Sequence, residues 1–204
     1  MTSLSRPARP LCAVCQRPVR ACICRWITPT PNLTEVLLLQ HPLETGHAKN
    51  SVRLLDLSLA RRTVAVGEAF APDMLERLLA GPAPDRAQPL LLYPDTPDVP
   101  SPPFSFDADQ PLRLVALDAT WRKSRKMLAL NPALQALPRL ALQAPPPSRY
   151  LVRKAHRADQ LSTLEAVCHA LAQLENDQSR YLPLLAAFDG FVSDQLGWRD
   201  GQAK

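Results

Sequence analysis

Apolar residues run along this chain in two rhythms. Short continuous runs at 35–40, 89–93 and 112–117 are bounded by proline or polar residues. Runs of that length read as strands buried on both faces of a parallel sheet. Residues 62–66 and 139–143 are shorter strand candidates. Helical spacing fills the gaps. Val52, Leu55 and Leu59 share one side of a helix over 50–59, and Pro72 followed by Asp73 opens a short helix over 73–79. Further helices are predicted over 121–130, 161–174 and 181–196. Strands alternating with helices predict an α/β domain with a mostly parallel sheet. Ligands in such sheets bind beyond the carboxyl ends of the strands. That rule directs attention to Leu92, Tyr93, Pro94 and Asp95 after one strand, and to residues 118–121 after another.

The first thirty residues break the rhythm. They are rich in Arg, Pro and Cys and show little periodicity, as expected of a small module held by something other than a core. Cys12, Cys15, Cys22 and Cys24 have the spacing C-x2-C-x6-C-x-C. Four thiolates that close in sequence can surround a zinc ion tetrahedrally. Disulfides or Cys12-x-x-Cys15 redox chemistry are the rival uses. The chain therefore divides into a zinc-binding module, 1–30, and an α/β domain, 31–204. Cys168, alone in an apolar helix, reads as a small buried hydrophobe.

Composition narrows the class. The chain has 204 residues, 46% hydrophobic and 21% charged, with 22 prolines against 6 glycines. It is globular, with fixed loops; the longest, 95–111, is proline-rich. A net charge of +5 suits either a mildly basic protein or one that meets a polyanion. No apolar run is long enough for a membrane span, and the polar start lacks a signal-peptide core, so the cytoplasm is the expected compartment.

Chemistry-bearing residues cluster after the 112–117 strand. Asp118, Thr120 and Trp121 stand at a strand-to-helix junction, followed by Arg122, Lys123, Arg125 and Lys126. On one reading Asp118 or Thr120 caps the helix and Trp121 packs. On the other, Asp118 handles a proton or a ligand amine and the four cations meet RNA phosphates. His41 and Glu44 follow the first strand as a hydrogen-bonded pair, a metal pair or a substrate contact, and Asn50 is a candidate cap. Tyr150 and Arg153 lie in a basic stretch suited to RNA backbone and base stacking. Ser162, Thr163 and Glu165 form a helix start whose N–H groups can also hold a carboxylate. His156 has no assigned role. A Gly-rich phosphate loop is absent, which speaks against Rossmann and P-loop chemistry.

Taken in order, these segments resemble the DTW-domain family. Its Asp-x-Thr-Trp signature stands as Asp118-Ala119-Thr120-Trp121, behind an N-terminal four-cysteine cluster. His41-Pro42-x-Glu44 with Asn50-Ser51, Ser148-x-Tyr150-x-x-Arg153 and Ser162-Thr163-x-Glu165-Ala166 complete the likeness, which runs from about residue 11 to 173. The resemblance implies a SPOUT-like knotted α/β domain using S-adenosyl-L-methionine. It implies transfer of the 3-amino-3-carboxypropyl group to N3 of a uridine in tRNA, with release of 5′-methylthioadenosine. Asp118, Thr120 and Trp121 would be catalytic. Leu92, Tyr93, Pro94, Asp95 and Leu117 would hold the adenosine, and Ser162, Thr163 and Glu165 the amino-acid end. Arg122, Lys123, Arg125, Lys126, Tyr150 and Arg153 would bind RNA. No membrane and no stable protein partner is expected. The competing functions are a SPOUT-type RNA methyltransferase and a non-enzymatic zinc-ribbon RNA-binding protein.

Overall fold

A computed structural model of the chain describes residues 10–47, 50–82, 86–94, 110–143 and 161–201. Among the described residues there are five strands: β1 (Glu35–Gln40), β2 (Arg62–Val66), β3 (Gln88–Leu92), β4 (Leu112–Asp118) and β5 (Arg139–Leu140). Six α-helices accompany them: α1 (Val52–Ser58), α2 (Pro72–Ala80), α3 (Trp121–Leu130), α4 (Pro132–Gln135), α5 (Thr163–Leu174) and α6 (Leu182–Gly201). All strand pairs are parallel, in the order β2-β1-β4-β3-β5. The expected mostly parallel α/β sheet is what forms. The 139–143 strand is cut to two residues, and α6 runs past 196. No helix among the described residues is long and apolar enough to cross a membrane.

The alternation of side chains along a strand splits the core in two. Val36 and Leu38 of β1, with Leu114 and Ala116 of β4, pack under α1, α5 and α6. Leu37, Leu39, Leu91 and Val115 point the other way, against α2, α3 and α4. Both faces are covered, so the middles of the central strands are apolar, while the buried Arg113 near the start of β4 is matched by Glu35 of β1. Cys15 and Ile23 of the N-terminal segment are buried in the first cluster, so that segment also shares the main core.

Topology locates the crevice. From β1 the chain crosses through α1 to β2 on one side; from β4 it passes through α3 and α4 to β5 on the other. β1 and β4 are neighbours whose onward connections diverge and lie on opposite faces. That is a topological switch point, where the carboxyl ends of two strands open a cleft for ligands. Gln40 and Asp118 sit opposite one another in the register of these two strands, at that end.

Candidate functional site

Asp118 ends β4 and is only 3% exposed. Its carboxylate accepts three hydrogen bonds. Gln40 Nε2 and Asn50 Nδ2 each donate to Oδ2 at 2.8 Å, and Thr163 Oγ1 donates to Oδ1 at 2.7 Å. Its carbonyl accepts from the His41 N–H. One side chain thus ties together the end of β1, the approach to α1 and the first turn of α5. Asn50 also serves the helix that follows it, since its Oδ1 accepts the Val52 N–H at the start of α1. The residue does cap the helix, from just outside it, while its amide faces the site.

Thr120 is the N-cap of α3 and accepts from the Lys123 N–H at 3.5 Å. Trp121 is 49% exposed rather than packed inside. Its ring meets Tyr93 edge-on, centroids 5.7 Å apart. Tyr93 is buried, its hydroxyl 3.3 Å from Ser124 Oγ, with the Arg139 guanidinium over its ring. The Pro94 carbonyl accepts from Arg139. Leu92 and Leu117 are partly buried against opposite core clusters. Ser162 and Glu165 form a reciprocal capping box on α5, so the Ser162 hydroxyl is committed to the Glu165 N–H. Thr163, next in line, is the residue whose hydroxyl reaches Asp118. Asp95, Tyr150, Arg153 and His156 lie outside the described residues, as do 95–109 of the proline-rich loop.

The four cations of α3 divide by the helix face they occupy. Lys123 Nζ binds the buried Glu44 at 2.9 Å, and Lys126 Nζ binds Glu68 at 2.9 Å. Arg122 and Arg125 are exposed and form no ion pair among the described residues. The His41 side chain takes Glu68 as a partner, while the Glu44 N–H donates to the His41 carbonyl. The His41 Nδ1 accepts from the Leu43 N–H, which leaves Nε2 as the donor to Glu68 at 3.0 Å. Hydrogen bonds from Lys126 and then from His41 hold the Glu68 carboxyl below its usual range. Gln40 and Glu68 do not stand out in the sequence. A polar residue closing an apolar strand is the available signal for Gln40; Glu68 offers none.

The cysteine cluster lies elsewhere. The four Sγ atoms are within 4.8 Å of one another, with Cys12–Cys24 at 3.6 Å and Cys15–Cys22 at 3.8 Å. A tetrahedral zinc with sulfur ligands at about 2.3 Å needs sulfurs about 3.8 Å apart, so the set can take such an ion. Hydrogen bonds from the Cys15 and Val14 N–H groups draw the Cys12 thiol down to about 6, while burial and the neighbouring sulfurs push Cys24 up to about 12. Trp26 joins the segment to α6, its indole donating to Asp194 at 2.8 Å, with Arg25 paired to the same carboxylate. Gly190 makes room: a Cβ there would fall 2.2 Å from the Trp26 ring. Cys168 is fully buried, and burial pushes its thiol up, as suits a packing residue.

The family model for the DTW domain matches residues 9–196. The chain belongs to the DTW-domain family. Among curated relatives, tRNA-uridine aminocarboxypropyltransferase 2 of Mus musculus is 28% identical over 92% of this chain and 64% of its own length. The Macaca fascicularis protein of the same name is 26% identical over the same shares. tRNA-uridine aminocarboxypropyltransferase A of Arabidopsis thaliana is 29% identical over 59% of this chain and 50% of its own. The chain thus spans 64% of the length of the first relatives it matches. No solved structure matches. In DTW terms, the aspartate of the signature is the buried hub, the threonine caps the helix, and the tryptophan stands open at the rim.

Proposed function

We propose that this DTW-domain chain transfers the 3-amino-3-carboxypropyl group of S-adenosyl-L-methionine to N3 of a uridine in tRNA. The relatives' names support the reaction and the substrate class. One observation carries the assignment to this site. Residues of three separated motifs, Asn50, Asp118 and Thr163, meet at a single carboxylate beside a topological switch point.

In the proposed reaction the N3–carbon bond forms as the carbon–sulfur bond breaks. The bonding pair passes to sulfur, giving neutral 5′-methylthioadenosine, and the N3 proton leaves to solvent. The donor supplies its own leaving group, so what the protein must enforce is position. The side-chain methylene, not the methyl group, must face N3. Thr163 and the open N–H groups of the first α5 turn are the residues proposed to hold the donor's amino-acid end. Tyr93, Leu92, Pro94, Asp95 and Leu117 border the adenosine in this reading. Trp121, Arg122 and Arg125, with Tyr150 and Arg153, face the RNA. Cys12, Cys15, Cys22 and Cys24 hold one structural zinc ion in a module of about residues 1–30. The SPOUT-like knot belongs to the same proposal, supported by the parallel sheet and by the return of α5 to the carboxyl end of β4.

The decisive experiment incubates the purified protein with unmodified tRNA and the donor, then analyses nucleosides by mass spectrometry. Aminocarboxypropyluridine with an equivalent of 5′-methylthioadenosine is the expected result. Methylated uridine with S-adenosylhomocysteine would replace this reading with a methyltransferase, and binding without turnover with a non-enzymatic RNA-binding protein.

A further inference from the structure

Asp118 presents an imbalance that its hydrogen bonds do not remove. It is 3% exposed, yet Gln40, Asn50 and Thr163 are all neutral donors, and it has no ion-pair partner among the described residues. Two other buried groups among the described residues are matched in charge: Glu44 takes Lys123, and Arg113 takes Glu35 at 2.6 Å. Buried charges in proteins are normally compensated, because desolvation of an isolated ion is expensive. The three donors fix the carboxylate in place but bring it no positive charge.

The acceptor count shows where a cation would go. A carboxylate offers about four lone-pair positions. Oδ2 uses two, on Gln40 and Asn50, whereas Oδ1 uses one, on Thr163. The open position is therefore on Oδ1, the oxygen turned toward α5. The first-turn N–H groups of Thr163 and Leu164 have no hydrogen-bond partner among the described residues and lie at the positive end of that twelve-residue helix. A buried anion and a helix N-terminus joined through one threonine form a two-signed cradle. Its complement is a zwitterion, an ammonium and a carboxylate on neighbouring atoms.

We infer that Asp118 is the counter-ion for the α-ammonium group of the donor's amino-acid end, held through Oδ1, rather than the acceptor of the uridine proton. The inference rests on the proposed use of S-adenosyl-L-methionine and deepens it. The donor carries two cations, and the chemistry chooses between them. A sulfonium has no N–H to fill an open acceptor position. Its charge also disappears as the carbon–sulfur bond breaks, so a carboxylate against it would favour the ground state. The ammonium keeps its charge throughout and travels with the transferred group. Anchoring it at Asp118 pins the chain that must react and so directs transfer of the propyl group instead of the methyl.

Three ligands separate the possibilities without any turnover. S-adenosyl-L-methionine has ammonium and sulfonium, S-adenosylhomocysteine has the ammonium alone, and 5′-methylthioadenosine has neither. Calorimetry on the full chain, wild type against Asp118→Asn, is the measurement. The expected result is a loss of about ten- to hundredfold in affinity for the first two and none for the third. Loss for S-adenosyl-L-methionine alone would place the sulfonium at the carboxylate and overturn the inference. Unchanged affinities with lost turnover would make Asp118 the proton acceptor, and equal loss for all three would make it structural; either overturns it. Should Asp118→Asn fail to fold, Thr163→Val tests the same point, with a severalfold loss expected for the two ammonium ligands only. Loss that ignores the ammonium would again refute it. Wild-type turnover on tRNA is assayed in parallel: its absence strikes the proposed function, whereas ligand selectivity is read without tRNA.

Discussion

Two polar clusters hold this molecule together, and they are built in opposite ways. The cysteine cluster takes its four side chains from thirteen consecutive residues, 12 to 24. The Asp118 cluster takes its four from positions 40, 50, 118 and 163, which only the sheet and α5 bring together. The first can be assembled by a short loop and an ion. The second exists only when β1, β4 and α5 are all in place. A local cluster stabilises its own neighbourhood; a non-local one reports on the whole fold.

The largest expected effect tests whether the local cluster is as self-contained as its sequence suggests. Cys15 and Ile23 are buried in the main core and Trp26 is seated on Gly190. Removing the proposed zinc ion with a chelator should therefore lower the stability of the whole domain by about 3 kcal/mol or more, not merely loosen the first thirty residues. Chemical unfolding with and without chelator, alongside metal analysis, measures it. An unchanged main transition would show that the segment is an independent module.

The next effect divides the α3 cations. Lys123→Ala removes the lysine that faces the buried Glu44 and should cost about 1–3 kcal/mol while leaving the salt dependence of the proposed tRNA binding nearly unchanged. Arg122→Ala and Arg125→Ala should do the reverse. Each should flatten the log–log salt slope by just under one unit, with stability nearly intact. Denaturant titrations and filter binding at several salt concentrations give both readouts, and an equal response from the lysine and the arginines would refute the division.

A smaller effect measures the non-local cluster itself. Gln40→Ala and Asn50→Ala remove donors to the same Asp118 oxygen. Each should cost about 1–2 kcal/mol, and each should couple to Asp118→Ala by about 1 kcal/mol in a double-mutant cycle. Additive losses would mean that the three side chains do not act as a unit.

The smallest effect concerns Glu68, whose carboxyl is held below its usual range by Lys126 and His41. The stabilisation it provides is complete above the ordinary carboxylate range and is lost as pH falls through the depressed value. The difference in melting temperature between wild type and Glu68→Gln should thus be present at neutral pH and shrink below about pH 4. A difference that persists in acid would show that packing, not charge, is at stake.

Much of the fold is legible in the chain itself. Residues 35–40, 62–66 and 121–130 form the elements their patterns predict, because unbroken apolar runs and helical spacing are local properties that burial on both faces preserves. The cysteine cluster is legible for the same reason: ligands close in sequence must be close in space. The capping of α5 by Ser162 and Glu165 follows from a four-residue pattern. Where a reading needs partners, locality fails. The ion pairs of Lys123 and Lys126 are invisible in sequence, because no local pattern announces Glu44 or Glu68 as their partners. His41 has Glu44 as its near neighbour along the chain, yet its actual partner is Glu68, twenty-seven residues on.

By itself, then, the sequence determined the strands, most helices, the four-cysteine set and the membership in the DTW-domain family. The tertiary structure alone decided which side chains share a carboxylate, which cations are already paired, and which faces remain open. The physical reason is range. Periodicity, capping and close ligand spacing act over a few residues, whereas strand order, register and the packing of α5 against the carboxyl end of β4 determine the partners of a buried charge.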